Sequence, residues 1–196
     1  MSELFEEVTF QDDDWYSAEL TNHYVNCTFL HLDLTESVSQ GATFTECTFN
    51  GVKFNASRHT NSAFLRCTFA NCNFFDAEFT DCKMVGSSFR RCELRPIHVS
   101  NGDWSFVSLT GADMRGSVFR RTRMREVDFS KANCEKSAFS DVDFTGGQFH
   151  STNLRQCDLR GSDLAPLNPR ENTIEQAIID VHQSVTIAQA LGFDVR

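Results

Sequence analysis

The eight cysteines are the residues whose chemistry most readily suggests a function, because thiolates bind metal ions and form disulfides. Seven are separated by multiples of five residues, and Cys134 lies two places later in the same frame; the seven are Cys27, Cys47, Cys67, Cys72, Cys82, Cys92 and Cys157. No histidine continues the regular spacing of Cys27, Cys47 and Cys67, so no metal-ligand set is indicated. Free cysteine also behaves as a small buried hydrophobe. The spacing therefore predicts a structural role for all eight, with no metal or other cofactor.

The histidines do not indicate a catalytic site either. His23, His31, His98, His150 and His182 are scattered along the chain without a regular relation to Ser, Asp or Cys. The sequence contains no phosphate-binding loop, no Ser–His–Asp arrangement and no pair of carboxylates expected to share a pocket. We therefore predict that the protein is not an enzyme.

The spacing of phenylalanine along the chain indicates which structural elements position these residues. The chain has 19 Phe but only two Tyr and two Trp, and 14 of the Phe occupy one place of a five-residue period. Between Tyr24 and Leu164 every fifth residue is large and apolar except Ser39, His59 and Cys134. The residue two places earlier is small at 26 of 28 positions. Neither the 3.6-residue period of a helix nor the two-residue period of a strand produces this pattern.

A chain that turns a corner every five residues does produce this five-residue pattern. Each five-residue segment forms one side, and four sides close one coil. We therefore predict an all-β fold, a right-handed, four-sided β-helix with a short C-terminal α-helix. Stacked coils lie about 4.8 Å apart, so the seven coils from Tyr24 to Leu164 would span roughly 34 Å. Large residues four repeats apart form core ladders, and one ladder contains Phe49, Phe69, Phe89, Phe129 and Phe149.

Ser39 and His59 interrupt this apolar series, and they lie four repeats apart, on the same predicted side. Either the coil bulges there and turns both residues outward, or they form a buried polar pair that needs hydrogen-bond partners. We expect a local irregularity that turns them outward, as a structural bulge or as a functional protrusion.

The ends of the repeat divide the chain into three segments. Residues 1–22 form an N-terminal cap coil, because the apolar residues up to Leu20 run one place later in the period than those from Tyr24 onward. Residues 23–179 form the β-helix. Residues 180–196 form a helix and tail, whose apolar face must pack on the last coil, on a second subunit, or on both, since so short a helix is marginal alone.

The charges are distributed unevenly along the chain. The net charge is −9, and residues 1–52 contain ten acidic residues and no Lys or Arg. Residues 53–82 are balanced, residues 83–136 hold eleven basic against six acidic residues, and residues 137–196 hold four against eight. The rod is therefore predicted to have an acidic tip, a basic waist (residues 83–136) and an acidic C-terminal part.

Acidic residues concentrate just before the large inward residue, and six of them lie in the second half of the chain: Asp103, Asp113, Asp128, Asp143, Asp158 and Asp163. Asp in this place can stabilise a turn by accepting hydrogen bonds from nearby backbone groups. Stacked carboxylates can also imitate a phosphate backbone, which carries one charge per roughly 1.7 Å of duplex. The pattern is compatible with both roles.

Several segments resemble the A(D/N)LXX motif of pentapeptide-repeat proteins, namely AEFTD at 77–81, ADMRG at 112–116 and SDLAP at 162–166. Within that family, KMVGSSFRRCELRP at 83–96 and LTGADMRG at 109–116, followed by a short apolar C-terminal helix, resemble the MfpA and Qnr group. The motif is specific for the fold and less specific for function, because one fold can serve several activities.

The resemblance implies a DNA-mimicking protein that binds DNA gyrase, a type II topoisomerase, and gives resistance to quinolones or other gyrase poisons. The six aspartates would form the partner-binding surface, without direct contact to nucleic acid. The resemblance also implies a homodimer joined through the C-terminal ends, with these residues near the contact: Val181, Val185, Ile187, Ala188, Leu191 and Phe193. The alternative is a pentapeptide-repeat interaction or immunity module with a different protein partner.

The N-terminal segment is acidic and lacks the basic start and apolar run of a signal peptide. No stretch approaches the roughly 18 consecutive apolar residues of a membrane span. We therefore expect a cytoplasmic protein without a membrane segment, in which the cysteines stay reduced.

Overall fold

The computed structural model describes residues 2–196, which form a continuous four-sided β-helix followed by one α-helix. The chain turns a corner every five residues because one residue in most repeats adopts a left-handed backbone. Around one coil these residues are Asn26 (φ 52°), His31 (φ 54°), Glu36 (φ 57°) and Gly41 (φ 70°). Four corners close each coil, and about seven coils stack between Tyr24 and Leu164. The predicted fold class is confirmed.

Short parallel strands form sheets on three of the four sides. In chain order they are β1 (Leu4–Glu6), β2 (Thr9–Gln11), β3 (Glu19–Leu20), β4 (His23–Val25), β5 (Thr28–Leu30), β6 (Val38–Gln40), β7 (Thr43–Thr45), β8 (Thr48–Asn50), β9 (Arg58–Thr60), β10 (Ala63–Leu65), β11 (Thr68–Ala70), β12 (Ala77–Thr80), β13 (Ser88–Arg90), β14 (Ile97–Ser100), β15 (Val118–Arg120) and β16 (Ala138–Ser140). The first side has the order β1-β4-β7-β10 and the second β2-β5-β8-β11-β13. The fourth side has the order β3-β6-β9-β12-β14-β15-β16.

The register between coils explains why residues four repeats apart share a ladder. Phe49 lies opposite Phe69, an offset of four complete repeats. In the first coil Phe5 lies opposite Tyr24, so the offset there is shorter by one residue. The phase of the apolar residues therefore shifts between the first and second coils, where the sequence pattern places the shift.

The pairing becomes sparser towards the C-terminus. The third side is held by isolated bridges throughout, for example Lys53 with Asn73. Beyond residue 100 the first and second sides also pair through isolated bridges, such as Asp103 with Arg123. Only the fourth side keeps strands there, β15 and β16. The N-terminal half is thus a three-sheet structure, and the C-terminal half depends more on core packing and turns.

The core is a column of stacked large side chains. In the ladder predicted from the sequence, Phe49, Phe69 and Phe129 are 0% exposed, and Phe89 and Phe149 are 7% exposed. Rings of adjacent coils stack, with centroids 4.8 Å apart for Phe49 and Phe69 and 5.5 Å apart for Phe129 and Phe149. A single coil could not bury these rings, so each coil depends on its neighbours for stability.

The expectation that Ser39 and His59 turn outward is wrong, because both are buried, at 0% and 1% exposure. Ser39 Oγ lies 2.7 Å from His59 Nδ1 and 2.8 Å from Ser62 Oγ, and Ser57 Oγ lies 3.0 Å from His59 Nε2. The Ser57 hydroxyl donates to the Phe54 carbonyl, so Nε2 of His59 donates to Ser57 and Nδ1 accepts from Ser39. Burial lowers the pKa of His59 to about 3. Serines in the small positions therefore let a neutral imidazole take the place of an apolar ring.

Candidate functional site

The six aspartates predicted to bind a partner share one local structure. In each, Oδ1 accepts a hydrogen bond of 2.8–3.3 Å from the backbone N–H two residues later; the six are Asp103, Asp113, Asp128, Asp143, Asp158 and Asp163. Asn133 and Asn153 occupy the same place in other repeats and form the same turn. The turn explains why Asp or Asn stands here, and it does not require the charge.

These aspartates are spread over all four sides of the rod. Because positions four repeats apart lie on one side, Asp103, Asp143 and Asp163 share the first side, and the other three occupy one side each. Only Asp143 and Asp163 lie in adjacent coils of one side. There the Thr145 hydroxyl is 2.7 Å from Asp143 Oδ1 and 3.4 Å from Asp163 Oδ2. The structure brings these two carboxylates together and separates the other four.

Arginine side chains pair with four of the six carboxylates. The ion pairs are Asp103–Arg123 at 3.2 Å, Asp113–Arg95 at 2.9 Å, Asp113–Arg115 at 2.7 Å, Asp143–Arg125 at 2.6 Å and Asp158–Arg160 at 2.5 Å. The guanidinium of Arg160 lowers the pKa of Asp158. Within residues 2–196, Asp128 and Asp163 form no ion pair; Asp128 accepts a 2.6 Å hydrogen bond from the Thr110 hydroxyl. The acidic surface of the C-terminal half is therefore smaller than the sequence pattern suggests.

The N-terminal coil carries a strongly acidic surface that sequence reasoning did not single out as a site. Seven exposed carboxylates there form no ion pair with any residue in the part of the chain that the structure describes: Glu3, Glu6, Glu7, Asp12, Asp13, Asp14 and Glu19. The signal was present in the charge distribution, since residues 1–52 contain no Lys or Arg.

The C-terminal helix α1 (Val181–Ala190) covers the last coil. Asp180 and Gln183 form a capping box at its start. The Gln183 side chain is buried, and its Nε2 donates to the carbonyls of Leu159 at 2.7 Å and Ser162 at 2.8 Å. These bonds attach the helix to the backbone of the last coil.

The outer face of α1 and its tail is apolar and exposed. Of the six residues predicted to mediate dimerisation, Val181 is 82% exposed, Val185 42% and Phe193 66%. The other three, Ile187, Ala188 and Leu191, are partly covered within the subunit. Val181 and Val185 lie one turn apart on α1 and are neighbours on its surface, and an exposed apolar patch favours contact with another protein.

The cysteines lie in the small inward positions, except Cys134. Most thiols donate to backbone carbonyls; Cys47 Sγ, for example, lies 3.5 Å from the Tyr24 carbonyl oxygen and 3.4 Å from that of Thr45. Burial raises the pKa of Cys82 to about 11 and that of Cys157 to about 12. These two thiols therefore stay protonated at neutral pH and are poor nucleophiles.

No group of three or more His, Cys, Asp or Glu side chains within residues 2–196 is arranged to hold a metal ion. Two open clefts of about 340 Å³ lie at the N-terminal end and beside Arg95 and Arg115. Neither is lined by a Ser, Cys or His that could act as nucleophile or general base. None of the helical structure in residues 2–196 has the length and apolar character needed to traverse a lipid bilayer.

Two family models match the chain. The model described as "Pentapeptide repeat region" matches residues 42–119, and the model described as "Pentapeptide repeats (8 copies)" matches residues 108–146 and 122–164. Together they extend over more than half of the chain, and over most of the stacked coils.

Among curated proteins, the pentapeptide repeat protein MfpA of Mycobacterium tuberculosis is 33% identical to this chain over 99 residues. The aligned part is 50% of this chain and 52% of MfpA, so the match spans about half the length of that relative.

Solved structures with the same fold cover nearly the whole chain. A trypsin-treated variant of QnrB1, a plasmid-mediated fluoroquinolone resistance protein, has a TM-score of 0.52 and 19% identity, covering 100% of this chain and 98% of QnrB1. HetL of the cyanobacterium Nostoc, involved in regulating heterocyst differentiation, has a TM-score of 0.50 and 15% identity, covering 89% and 86%. At these identities the likeness shows the fold.

Proposed function

The chain belongs to the pentapeptide-repeat family, and from this premise we propose that it is a DNA-mimicking protein that binds DNA gyrase and gives resistance to quinolones or other gyrase poisons. Two similarities support the proposal. Half of the chain is 33% identical to MfpA of Mycobacterium tuberculosis. The segments at 83–96 and 109–116 also resemble the MfpA and Qnr group.

The proposal rests mainly on the stacked pair Asp143 and Asp163. Carboxylates in adjacent coils lie about 4.8 Å apart along the rod, against roughly 3.4 Å between phosphates along one DNA strand. Arg125 pairs with Asp143 at 2.6 Å, so the pair is a coarse imitation of two successive phosphates in which only the charge of Asp163 is unpaired within residues 2–196. The net charge of −9 repels DNA, whereas a protein surface that attracts phosphates attracts these carboxylates.

In this proposal two chains pair through the outer face of α1, with Val181, Val185 and Phe193 at the contact. A two-fold axis at this end doubles the rod and places the Asp143 and Asp163 pairs of both subunits on either side of its centre. A closed two-fold contact also stops further end-to-end growth.

The basic waist favours the alternative, an interaction or immunity module with another protein partner. Residues 83–136 carry five more basic than acidic side chains, and that surface suits an acidic partner better than it suits the DNA-binding surface of a topoisomerase.

A supercoiling assay with purified gyrase, with and without a quinolone, tests the proposal. We expect the wild type to alter supercoiling or to relieve drug inhibition, and Asp143→Asn with Asp163→Asn to lower its potency about tenfold. Asn133 and Asn153 form the same turn, so the exchange removes charge and keeps shape.

The matched control is Glu46→Gln with Glu78→Gln, which removes two exposed carboxylates from the N-terminal half. It should leave potency unchanged. If the wild type has no effect on gyrase under either condition, the proposed function is wrong. If both double variants act like the wild type, or if the wild type binds duplex DNA tightly, the mimicry is wrong.

A further inference from the structure

The N-terminal end of the rod leaves its aromatic core uncovered. Phe10 stacks on Phe29 with ring centroids 5.2 Å apart, and Phe5 stacks on Tyr24 at 5.4 Å. Phe49 and Phe69, deeper in the rod, have stacked rings on both faces, but within residues 2–196 Phe5 and Phe10 each have a stacked ring on one face only. With the half-buried Trp15 they line an open cleft of about 340 Å³.

The rim of this cleft is acidic. Asp14 and Glu19 line the cleft itself, and the other five carboxylates of the first coil are exposed on the same coil. Because residues 1–52 contain no Lys or Arg, nothing in the first two coils neutralises this charge. The aromatic faces in the cleft are apolar and lie beside carboxylates. They are therefore complementary to a side chain that is both flat and cationic.

The same end also presents three open sheet edges. The strands β1, β2 and β3 are terminal in their sheets, so each pairs with a neighbour on one side only. Exposed edges of this kind accept an extended segment as an added strand. Alternate side chains of that strand would point into the cleft, and the others would point away from it.

We propose that this end is a docking site for an extended, cationic segment of a partner protein, in which every second residue is Arg. A guanidinium can stack on the open face of Phe5 or Phe10 while it donates to Asp14 or Glu19. A second copy of the same end is excluded, because seven carboxylates would face seven. The site lies at the opposite end from the proposed dimer contact and does not depend on gyrase binding.

Tryptophan fluorescence of the full chain reads out the site directly. The protein has two Trp; Trp15 lines the cleft, and Trp104 is 0% exposed. The probe is an acetylated, amidated hexapeptide of alternating arginine and valine. We expect a saturable change in emission, and about tenfold weaker binding when citrulline replaces arginine, since citrulline keeps the shape and loses the charge.

Two double variants separate this site from general electrostatic attraction. Asp14→Asn with Glu19→Gln should weaken peptide binding about tenfold, and the Asn can still accept the bond that Asp14 receives from the Tyr16 N–H. Glu126→Gln with Glu175→Gln removes two exposed carboxylates elsewhere and should leave binding unchanged. Equal affinity for the arginine and citrulline peptides, equal binding by the two double variants, or no emission change up to millimolar peptide would each overturn the proposal.

Discussion

The two ends of the rod terminate the same repeat with different surfaces, one acidic and the other apolar. At the N-terminal end the rings of Phe5 and Phe10 are open to solvent beneath a rim of carboxylates. At the C-terminal end α1 covers the core through Gln183, and Val181 lies on its exposed apolar outer face. Any β-helix end exposes strand edges that favour uncontrolled growth. Charge opposes self-association at one end, and a helix blocks edge pairing at the other, so the two ends suit different partners.

The N-terminal and C-terminal halves of the β-helix also differ in their backbone pairing and in their core ladders. In the N-terminal half, strands line three sides and the rings of one ladder stack without interruption from Phe29 to Phe89. In the C-terminal half, isolated bridges replace most strands, and aliphatic residues such as Leu109 and Met124 enter the ladders. The repeat therefore tolerates looser backbone pairing where the turns and the core still match.

The largest expected effect comes from emptying the core of each half. Phe69→Ala and Phe129→Ala should each lower the free energy of unfolding by about 3–5 kcal/mol. We expect the greater loss at Phe69, because rings stack on both of its faces at 4.8 and 4.9 Å, whereas Phe129 has one such partner, at 5.5 Å. Urea unfolding measures both.

The control is Phe75→Ala, a Phe that is 51% exposed, which should change stability by less than about 0.5 kcal/mol. Losses below about 1 kcal/mol at both core positions would contradict the stacked ladder.

The next effect concerns the C-terminal end. Val181→Asp with Val185→Asp places charges on the apolar outer face and should weaken a dimer by about a hundredfold, because the charges would be buried without partners. Ser184→Asp, also exposed, is the control at the edge of this face. Sedimentation of the three proteins measures the change. A wild type that is monomeric at all concentrations would rule out the dimer, and an aspartate pair that leaves the dimer intact would place the contact elsewhere.

His59, in the N-terminal half, should make the stability of the protein depend on pH in acid. Its pKa is about 3 in the folded chain, against roughly 6.5 when unfolded. Below pH 6.5 the unfolded chain binds a proton that the folded chain does not, so stability falls as pH decreases towards 3, by up to about 1.4 kcal/mol per pH unit. Above pH 6.5 this group contributes no pH dependence.

The variant His59→Phe should remove this slope, whatever its effect on stability at pH 7. The same column of the C-terminal half has Phe119 and Phe139 and no ionisable ring. Urea unfolding between pH 7 and 4 measures the slope, and an identical slope in wild type and variant would show that His59 is protonated in the folded state.

The smallest expected effect is that of Asp163→Asn on stability. Asn supports the same turn at Asn133 and Asn153, and Asp163 forms no ion pair within residues 2–196. We expect a change below about 0.5 kcal/mol in thermal unfolding. A loss above about 1 kcal/mol would mean that the charge itself stabilises the turn.

Much of the fold was predictable because the position of a residue in the five-residue repeat indicates whether its side chain points into the core. Large residues every fifth place and small ones two places earlier predict the coil, and the phase change after Leu20 predicts the shorter offset of the first coil. The capping pair Asp180 and Gln183 was also predictable from local spacing. The buried state of His59 was not, because its partner Ser39 lies 20 residues away and counts in the period only as a break, and its partner Ser57 counts only as a small residue.

The sequence by itself determined the coil, its ladders and the bands of charge, because each depends on residue type at a fixed period. Only the tertiary structure decided which carboxylates keep their charge exposed. Asp143 forms an ion pair with Arg125, and Asp103 forms one with Arg123, across adjacent coils. Asp163 forms no ion pair within residues 2–196. Stacking brings side chains from successive coils into contact, and the reach and direction of each arginine then select its carboxylate.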